Sequence, residues 1–293
     1  MASLKEVRNR IVSVSSTQQI TSAMKMVSAA KLKRAQDAIT QMRPYANKLR
    51  EILQNLTASL DSAEGVFAEE REVKKVLLVV ITSNRGLCGG FNANANKAAK
   101  AAIEQKYTGA EVEIMAIGKK AEDFFKKTDI ALVKGEDGNG YSSLFDDLTF
   151  ANVSVVAEEI MQAFVDGTYD KIELVYNRFK NAAVQLPTVE QFIPVEPPAE
   201  SEENNTATDY IFEPSKEFIV SDLIPRSLKT QLFKALLDSH AAEHGARMTS
   251  MHKATDNAGA LIKDLKLQYN KARQAAITNE ILEIVGGAEA LNN

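Results

Sequence analysis

The side chains able to do chemistry are few and poorly placed for it. His240, His244 and His252 are the only histidines in 293 residues, and Cys88 is the only cysteine. His240 and His244 stand four apart, which puts two imidazoles on one helix face, but no acidic or cysteine companion follows at ligand spacing. One cysteine excludes a disulfide framework and any CxxC-based zinc or redox centre. Cys88 lies in Arg85-Gly86-Leu87-Cys88-Gly89-Gly90, among glycine and apolar residues and with no histidine nearby, which favours an inert thiol. That turn stands where a nucleotide-binding loop would, yet it has neither the G-x-G-x-x-G nor the G-x-x-x-x-G-K-[ST] spacing. Gly86, Gly89 and Gly90 therefore read as a tight turn with close helix–sheet packing. HExxH, GxSxG and paired-carboxylate patterns are absent. The sequence offers no catalytic residues, cofactor or metal site, and the histidines read as surface or interface residues.

The elements around these residues divide the chain in three. Residues 1–50 carry ten Lys/Arg against two acids, and residues 226–273 carry nine against four, while residues 51–225 carry sixteen against thirty. The ends are basic and the middle is acidic. Glycine is missing before Gly65 and proline after Pro225. Stretches free of breakers and rich in Ala, Lys, Gln, Met and Leu predict long helices, from about Leu4 to about Leu60 and from about Leu228 to about Val285. Pro44 is expected to kink or split the first near Arg43. Between them, Val76–Ser83, Val112–Ile117 and Ile130–Val133 read as buried strands separated by helices, with a third helix at Val153–Phe164. Lys171–Tyr176 and Ala183–Phe192 read as a hairpin. The expected fold class is α/β: a mostly parallel, Rossmann-like domain inserted between two long helices that pair as an antiparallel coiled coil. The boundaries are 1–60, 70–215 and 216–293, with Ile193–Asp209 a solvated, acidic, proline-rich loop.

Met248, Met251, Thr255, Ala258, Ile262, Leu265, Tyr269, Ala272 and Ala276 follow alternating steps of three and four, which is coiled-coil spacing. The first helix begins the same way at Leu4, Val7, Ile11 and Val14, and its apolar residues resume out of phase at Ile20, Met24 and Val27. Each helix would be on the order of 80–90 Å long, against ~40 Å for the inserted domain, so the pair must project. Met26, Leu32, Ile277, Ile281, Leu282 and Ile284 remain on its outer faces, a surplus that points to a partner enclosing the rod. The N-terminus lacks the apolar core of a secretory signal, and no run approaches the ~18 apolar residues of a membrane span. A cytoplasmic chain is expected.

Three motifs, in order along the chain, carry a resemblance to a known family. They are Ile20-Thr21-Ser22-Ala23-Met24-Lys25-Met26-Val27-Ser28-Ala29-Ala30-Lys31, then Arg85–Gly90. The third is the C-terminal set Ala246-Arg247-Met248, Ala254-Thr255-Asp256-Asn257-Ala258-Gly259 and Tyr269–Glu280. With them the chain resembles the gamma subunits of bacterial F-type ATP synthases over nearly its whole length. The resemblance implies a central rotor shaft inside a ring of alpha and beta subunits. Its α/β domain would be a foot on the membrane ring of c subunits, beside the epsilon subunit. Such a subunit has no catalytic site or cofactor of its own. It couples proton flow to conformational change at the beta subunits and regulates ATPase activity and proton flow, as a peripheral protein on the cytoplasmic side of the bacterial plasma membrane.

The same resemblance implies contacts with the beta subunits at Met24, Lys25, Arg247, Arg273, Gln274, Thr278 and Glu280, and foot contacts at Tyr210 and Glu213. A second reading, a basic coiled-coil nucleic-acid-binding protein, draws on the charged ends alone. The acidic middle and the absence of tryptophan, with 6% aromatic residues overall, weigh against it.

Overall fold

The computed structural model describes residues 4–57, 67, 69, 71–135, 138, 140–195 and 216–291. They form two compact units, residues 1–28 with 248–293, and residues 29–247. In chain order the elements are α1 (Leu4–Thr57), β1 (Lys75–Ile81), α2 (Phe91–Lys106), β2 (Glu111–Ile117), α3 (Lys119–Phe125) and β3 (Ala131–Val133). There follow a short 3₁₀ helix (Tyr141–Phe145), α4 (Phe150–Val165), β4 (Lys171–Phe179), β5 (Gln185–Ile193) and α5 (Lys216–Leu291).

The larger unit is built on one five-stranded sheet of order β3-β2-β1-β4-β5. β1 pairs in parallel with β2 and β4, β2 with β3, and β5 closes the edge as the antiparallel arm of a hairpin. This is the expected mixed α/β sheet. Its central strand is apolar throughout because both faces are covered. Leu77, Val79 and Ile81 face α4 and the α5 residues Leu228, Leu232, Ala235 and Leu236. Val76, Leu78 and Val80 face α2 and α3 through Ala99, Ala121 and Phe125. The alternation of a strand thus feeds two separate cores from one six-residue run. The 3₁₀ helix had no counterpart in the sequence reading.

In the smaller unit α1 and α5 pair antiparallel. Thr21 Oγ1 meets Thr255 Oγ1 at 2.9 Å, and Lys25 Nζ donates to His252 Nδ1 at 3.2 Å. Gln18 lies opposite Gly259, so one number rises as the other falls. On α5 the residues from Met248 to Ala272 at the heptad spacing are buried or half-buried. Ala276, also expected on the seam, is exposed. Continuing the register from Thr21–Thr255 sets Ala272 opposite Leu4, where α1 begins, so Ala276 has no α1 residue to meet.

On α1 the seam keeps its phase. Leu4, Val7, Ile11, Val14, Gln18, Thr21, Lys25 and Ser28 follow one another at steps of three and four and are buried or half-buried. The out-of-phase expectation fails: Ile20 and Val27 are 60% and 57% exposed. The helix keeps its geometric stripe and fills it with polar and small side chains, leaving apolar ones outside. Leu32, expected on the outer face, is buried instead. Nor does Pro44 split α1, which is continuous through it. Pro44 and Thr40 are both exposed, so the Thr40 carbonyl that loses its N–H partner is open to solvent. α5 likewise starts at Lys216, ahead of Pro225; the burial of Leu228 and Leu232 one turn on offsets the one missing hydrogen bond.

Candidate functional site

In an open α/β sheet a ligand binds beyond the carboxyl ends of the strands, where successive connections leave in opposite directions. Here that point lies between β1, which leads outward to β2 and β3, and β4, which the chain reaches by crossing back. The loop after β1 is folded upon itself. Ser83 N–H donates to Asn92 Oδ1 at 3.0 Å, Ser83 Oγ donates to the Arg85 carbonyl at 2.7 Å, and Asn92 Nδ2 reaches the Cys88 sulfur at 3.1 Å. Asn177, near the end of β4, donates to the Phe91 carbonyl at 2.9 Å and so ties the strand to the start of α2.

The crevice itself is filled. Cys88 and Phe91 pack with Ala242 and Ala246 of α5 and with Phe179. Gly245 is a close-approach position: a Cβ there would lie 3.1 Å from Ala182 Cα and 3.3 Å from its carbonyl oxygen in the β4–β5 turn. Cys88 is 1% exposed, in keeping with an inert thiol. Among the described residues Leu87 is the one non-glycine with positive φ, at 63°, and it is exposed.

Arg247 closes the arrangement from the other side. Its Nη2 donates to the carbonyls of Arg85 at 3.0 Å and Gly86 at 3.3 Å, and its Nη1 meets Glu243 Oε1 at 2.6 Å. The guanidinium also donates to His244 Nδ1 at 3.3 Å. Arginine has no acceptor, so His244 Nδ1 is bare and its proton sits on Nε2. That N–H donates to His240 Nε2 at 3.1 Å, which puts the His240 proton on Nδ1. His240 stacks on Phe145 of the 3₁₀ helix.

Burial pushes His240 down to about 4, with the Lys31 and Arg247 charges adding to it, and His244 down to about 3, with His240 and Arg247 adding. Glu243 is raised, because burial outweighs the nearby Arg247 charge. Of the histidines, read as surface or interface residues, His252 is exposed, His240 is half-buried and His244 is buried. Among the described residues no three His, Cys, Asp or Glu side chains gather as metal ligands. The crevice is a socket for α5 built from small residues, two phenylalanines and one buried arginine.

The candidate contact residues fall into separate places. Met24 and Lys25 are half-buried on α1, with Lys25 joined to His252. Arg273, Gln274, Thr278 and Glu280 are exposed on α5 beyond Ala272, and Thr278 Oγ1 donates to the Gln274 carbonyl at 2.9 Å. Around them Ile277, Ile281, Leu282 and Ile284 are roughly half exposed or more. Arg247 was expected to be a contact with a beta subunit. The structure turns it inward at 7% exposure, because its donors are taken up by a buried carboxylate and two carbonyls. Tyr210 and Glu213 lie outside the described residues, as does most of the Ile193–Asp209 loop. Sequence reasoning missed Gly245, Glu243 and the Thr21–Thr255 pair. The small run Ala241-Ala242 with Gly245-Ala246 was a readable sign of close backbone approach on one helix face.

The sequence model of the family described as ATP synthase matches residues 3–291. The ATP synthase gamma chain of Flavobacterium johnsoniae is 63% identical over 293 residues, covering all of both chains. Those of Christiangramia forsetii and Cytophaga hutchinsonii are 62% and 58% identical, again over the whole of both chains. Among solved structures, a chain of the Euglena gracilis mitochondrial ATP synthase in its third rotational state superposes with a TM-score of 0.67. It is 22% identical and covers 98% of this chain and 94% of its own. A chain of the rotor of the same organism's enzyme gives 0.63, at 94% and 98% coverage. At that identity the likeness is one of fold.

Proposed function

The chain belongs to the ATP synthase gamma chain family, and from that premise we propose that it is the central rotor shaft of a proton-translocating F-type ATP synthase. The observation that carries the reading is the paired-helix unit. Its seam is partly polar, its outer faces keep apolar residues in solvent, and α5 runs on from Ala272 to Leu291 with no α1 residue beside it. Apolar side chains on an unpaired helix are stable when a partner surrounds them. A ring of alpha and beta subunits is such a partner, with the epsilon subunit and the c ring as the others.

A shaft acts by presenting different side chains to different neighbours. Turning it changes the differential contacts that favour one conformation of a beta subunit over another, which shifts nucleotide affinity at each site in sequence. Arg273, Gln274, Thr278 and Glu280 would make those contacts from the unpaired part of α5, and Met24 and Lys25 from α1. Arg273 can form a charge-assisted pair with a carboxylate. Arg247 supports the shaft from within its own chain. The filled crevice supports reading this chain as a non-catalytic subunit whose partners carry the nucleotide chemistry. Among the described residues no helix is long and apolar enough to cross a membrane, which suits a peripheral place on the cytoplasmic side of the complex.

Reconstituted vesicles test the reading. Arg273→Ala with Gln274→Ala is expected to impair ATP synthesis, since loss of a buried charged partner at an interface costs about 2–5 kcal/mol, while Lys100→Ala changes little. A double variant that assembles and synthesises ATP at the parental rate would remove these residues from the contact set. Failure of the chain to co-purify with a hexameric ATPase would remove the shaft itself.

A further inference from the structure

We infer that Gly245 and Arg247 are positioning residues that stop α5 from rolling in its socket, so that rotation of the sheet unit passes into the helix; this rests on the rotor reading. Two kinds of contact hold α5 in that unit. Leu228, Leu232, Ala235 and Leu236 bury apolar surface against the sheet, and such burial is non-directional. It resists lifting the helix away but is nearly as well satisfied after a small turn about the helix axis.

The socket contacts are directional. The Arg247 fork holds two successive carbonyls of the β1–α2 loop while Glu243 fixes Nη1. Gly245 lets the β4–β5 turn approach to a distance at which any Cβ would touch Ala182. Gly245 and Arg247 lie two residues apart on α5 and engage two different segments, the β4–β5 turn and the β1–α2 loop. A steric limit at one segment and a fork of hydrogen bonds at the other oppose rolling of the helix between them. His244 Nδ1, 3.3 Å from Nη1, adds a second acceptor beside the Glu243 carboxylate. The ligand crevice of the fold has thereby become a torque clamp.

The test uses the assembled complex in vesicles. Arg247→Ala is expected to hydrolyse ATP within twofold of the parent when the membrane is made leaky, but to sustain a proton gradient at least about twofold smaller, the low end of the coupling changes single residues produce. Arg247→Lys keeps the charge beside Glu243 but can hold one carbonyl, and should give a smaller loss. A gradient equal to the parent's, or leaky-state hydrolysis that falls in parallel with the gradient, overturns the inference. A second arm does not depend on rotation. In the full chain, Arg247→Ala should speed amide exchange at residues 241–247 at least about tenfold, the change expected from about 1.4 kcal/mol of lost local stability. Unchanged exchange there overturns the clamp whether or not the parental complex pumps protons. A parental complex that hydrolyses ATP without pumping overturns the rotor reading instead.

Discussion

In the sheet unit, six consecutive residues of β1, Val76–Ile81, are each 1% exposed or less, and each face of the strand has its own core. In the paired-helix unit, α1 between Leu4 and Ser28 buries Val7, Thr21 and Ser28, two of them polar, while Val12, Ile20, Met26 and Val27 stay in solvent. One unit is complete by itself. The other puts polar groups where apolar ones would stabilise it and apolar groups where polar ones would keep it soluble. The difference teaches that the sheet unit was shaped for its own stability and the helix pair for surroundings it does not supply.

The comparison breaks most sharply in the sheet core. Phe164 is fully buried, and Arg71 stacks over its ring and donates to its carbonyl. Phe164→Ala should cost about 3–5 kcal/mol in denaturant unfolding of the sheet unit. A loss below about 1 kcal/mol, a third of the low end of that range, would mean this core is no tighter than the helix seam.

Acid should act next, and on the same unit. His240 and His244 are held below the ordinary 6.5, at about 4 and about 3. Their folded values are depressed, so the unfolded chain binds more protons through that window. Their contribution is present above 6.5 and is lost as pH falls toward 4 and then 3. Glu243 is raised and works the other way, favouring the folded state as it protonates, which offsets part of the loss. Thermal unfolding between pH 7 and 4 should show the transition falling, and His240→Phe with His244→Phe should flatten the slope.

The seam should respond in the opposite direction to truncation of the core. Thr21 and Thr255 hold their hydroxyls 2.9 Å apart, and each is also within reach of a carbonyl of its own helix, so two protons serve three contacts. Thr21→Val with Thr255→Val removes both partners together, which is neutral or stabilising. Slower amide exchange over 248–272, by up to about fivefold for ~1 kcal/mol, would sharpen the contrast, and faster exchange would erase it. The smallest effect belongs to Lys33, whose pair with Asp37 is exposed on both sides. Lys33→Ala should cost no more than about 0.5 kcal/mol by the same unfolding assay.

Much of this was legible in the sequence, for physical reasons. A β-branched run as continuous as Val76–Ile81 has few other uses, and the α5 heptad from Met248 to Ala272 is spaced as a seam whether its residues are large or small. The first helix misled because apolar character and burial part company there: Ile20 and Val27 announce a face that the structure leaves in water. Arg247 is buried for a reason its neighbours do not show: Arg85 and Gly86, far away in sequence, offer carbonyls to it. Contacts between distant segments through backbone oxygen leave no mark on side-chain pattern. Pro44 leaves α1 continuous because the one hydrogen bond it removes lies on an exposed stretch of the helix.

The filled crevice also bears on how a drug would meet this molecule. The sheet has the outline of a nucleotide-binding fold, but a compound directed at its customary pocket would first have to displace Cys88, Phe91, Phe179 and the Ala242–Ala246 face of α5. Its apparent affinity would be discounted by the fraction of molecules in which the helix has already lifted out. A screen for nucleotide mimics against this chain would therefore select rare openers of the socket, and each hit would act by loosening a mechanical joint, with no substrate to compete against.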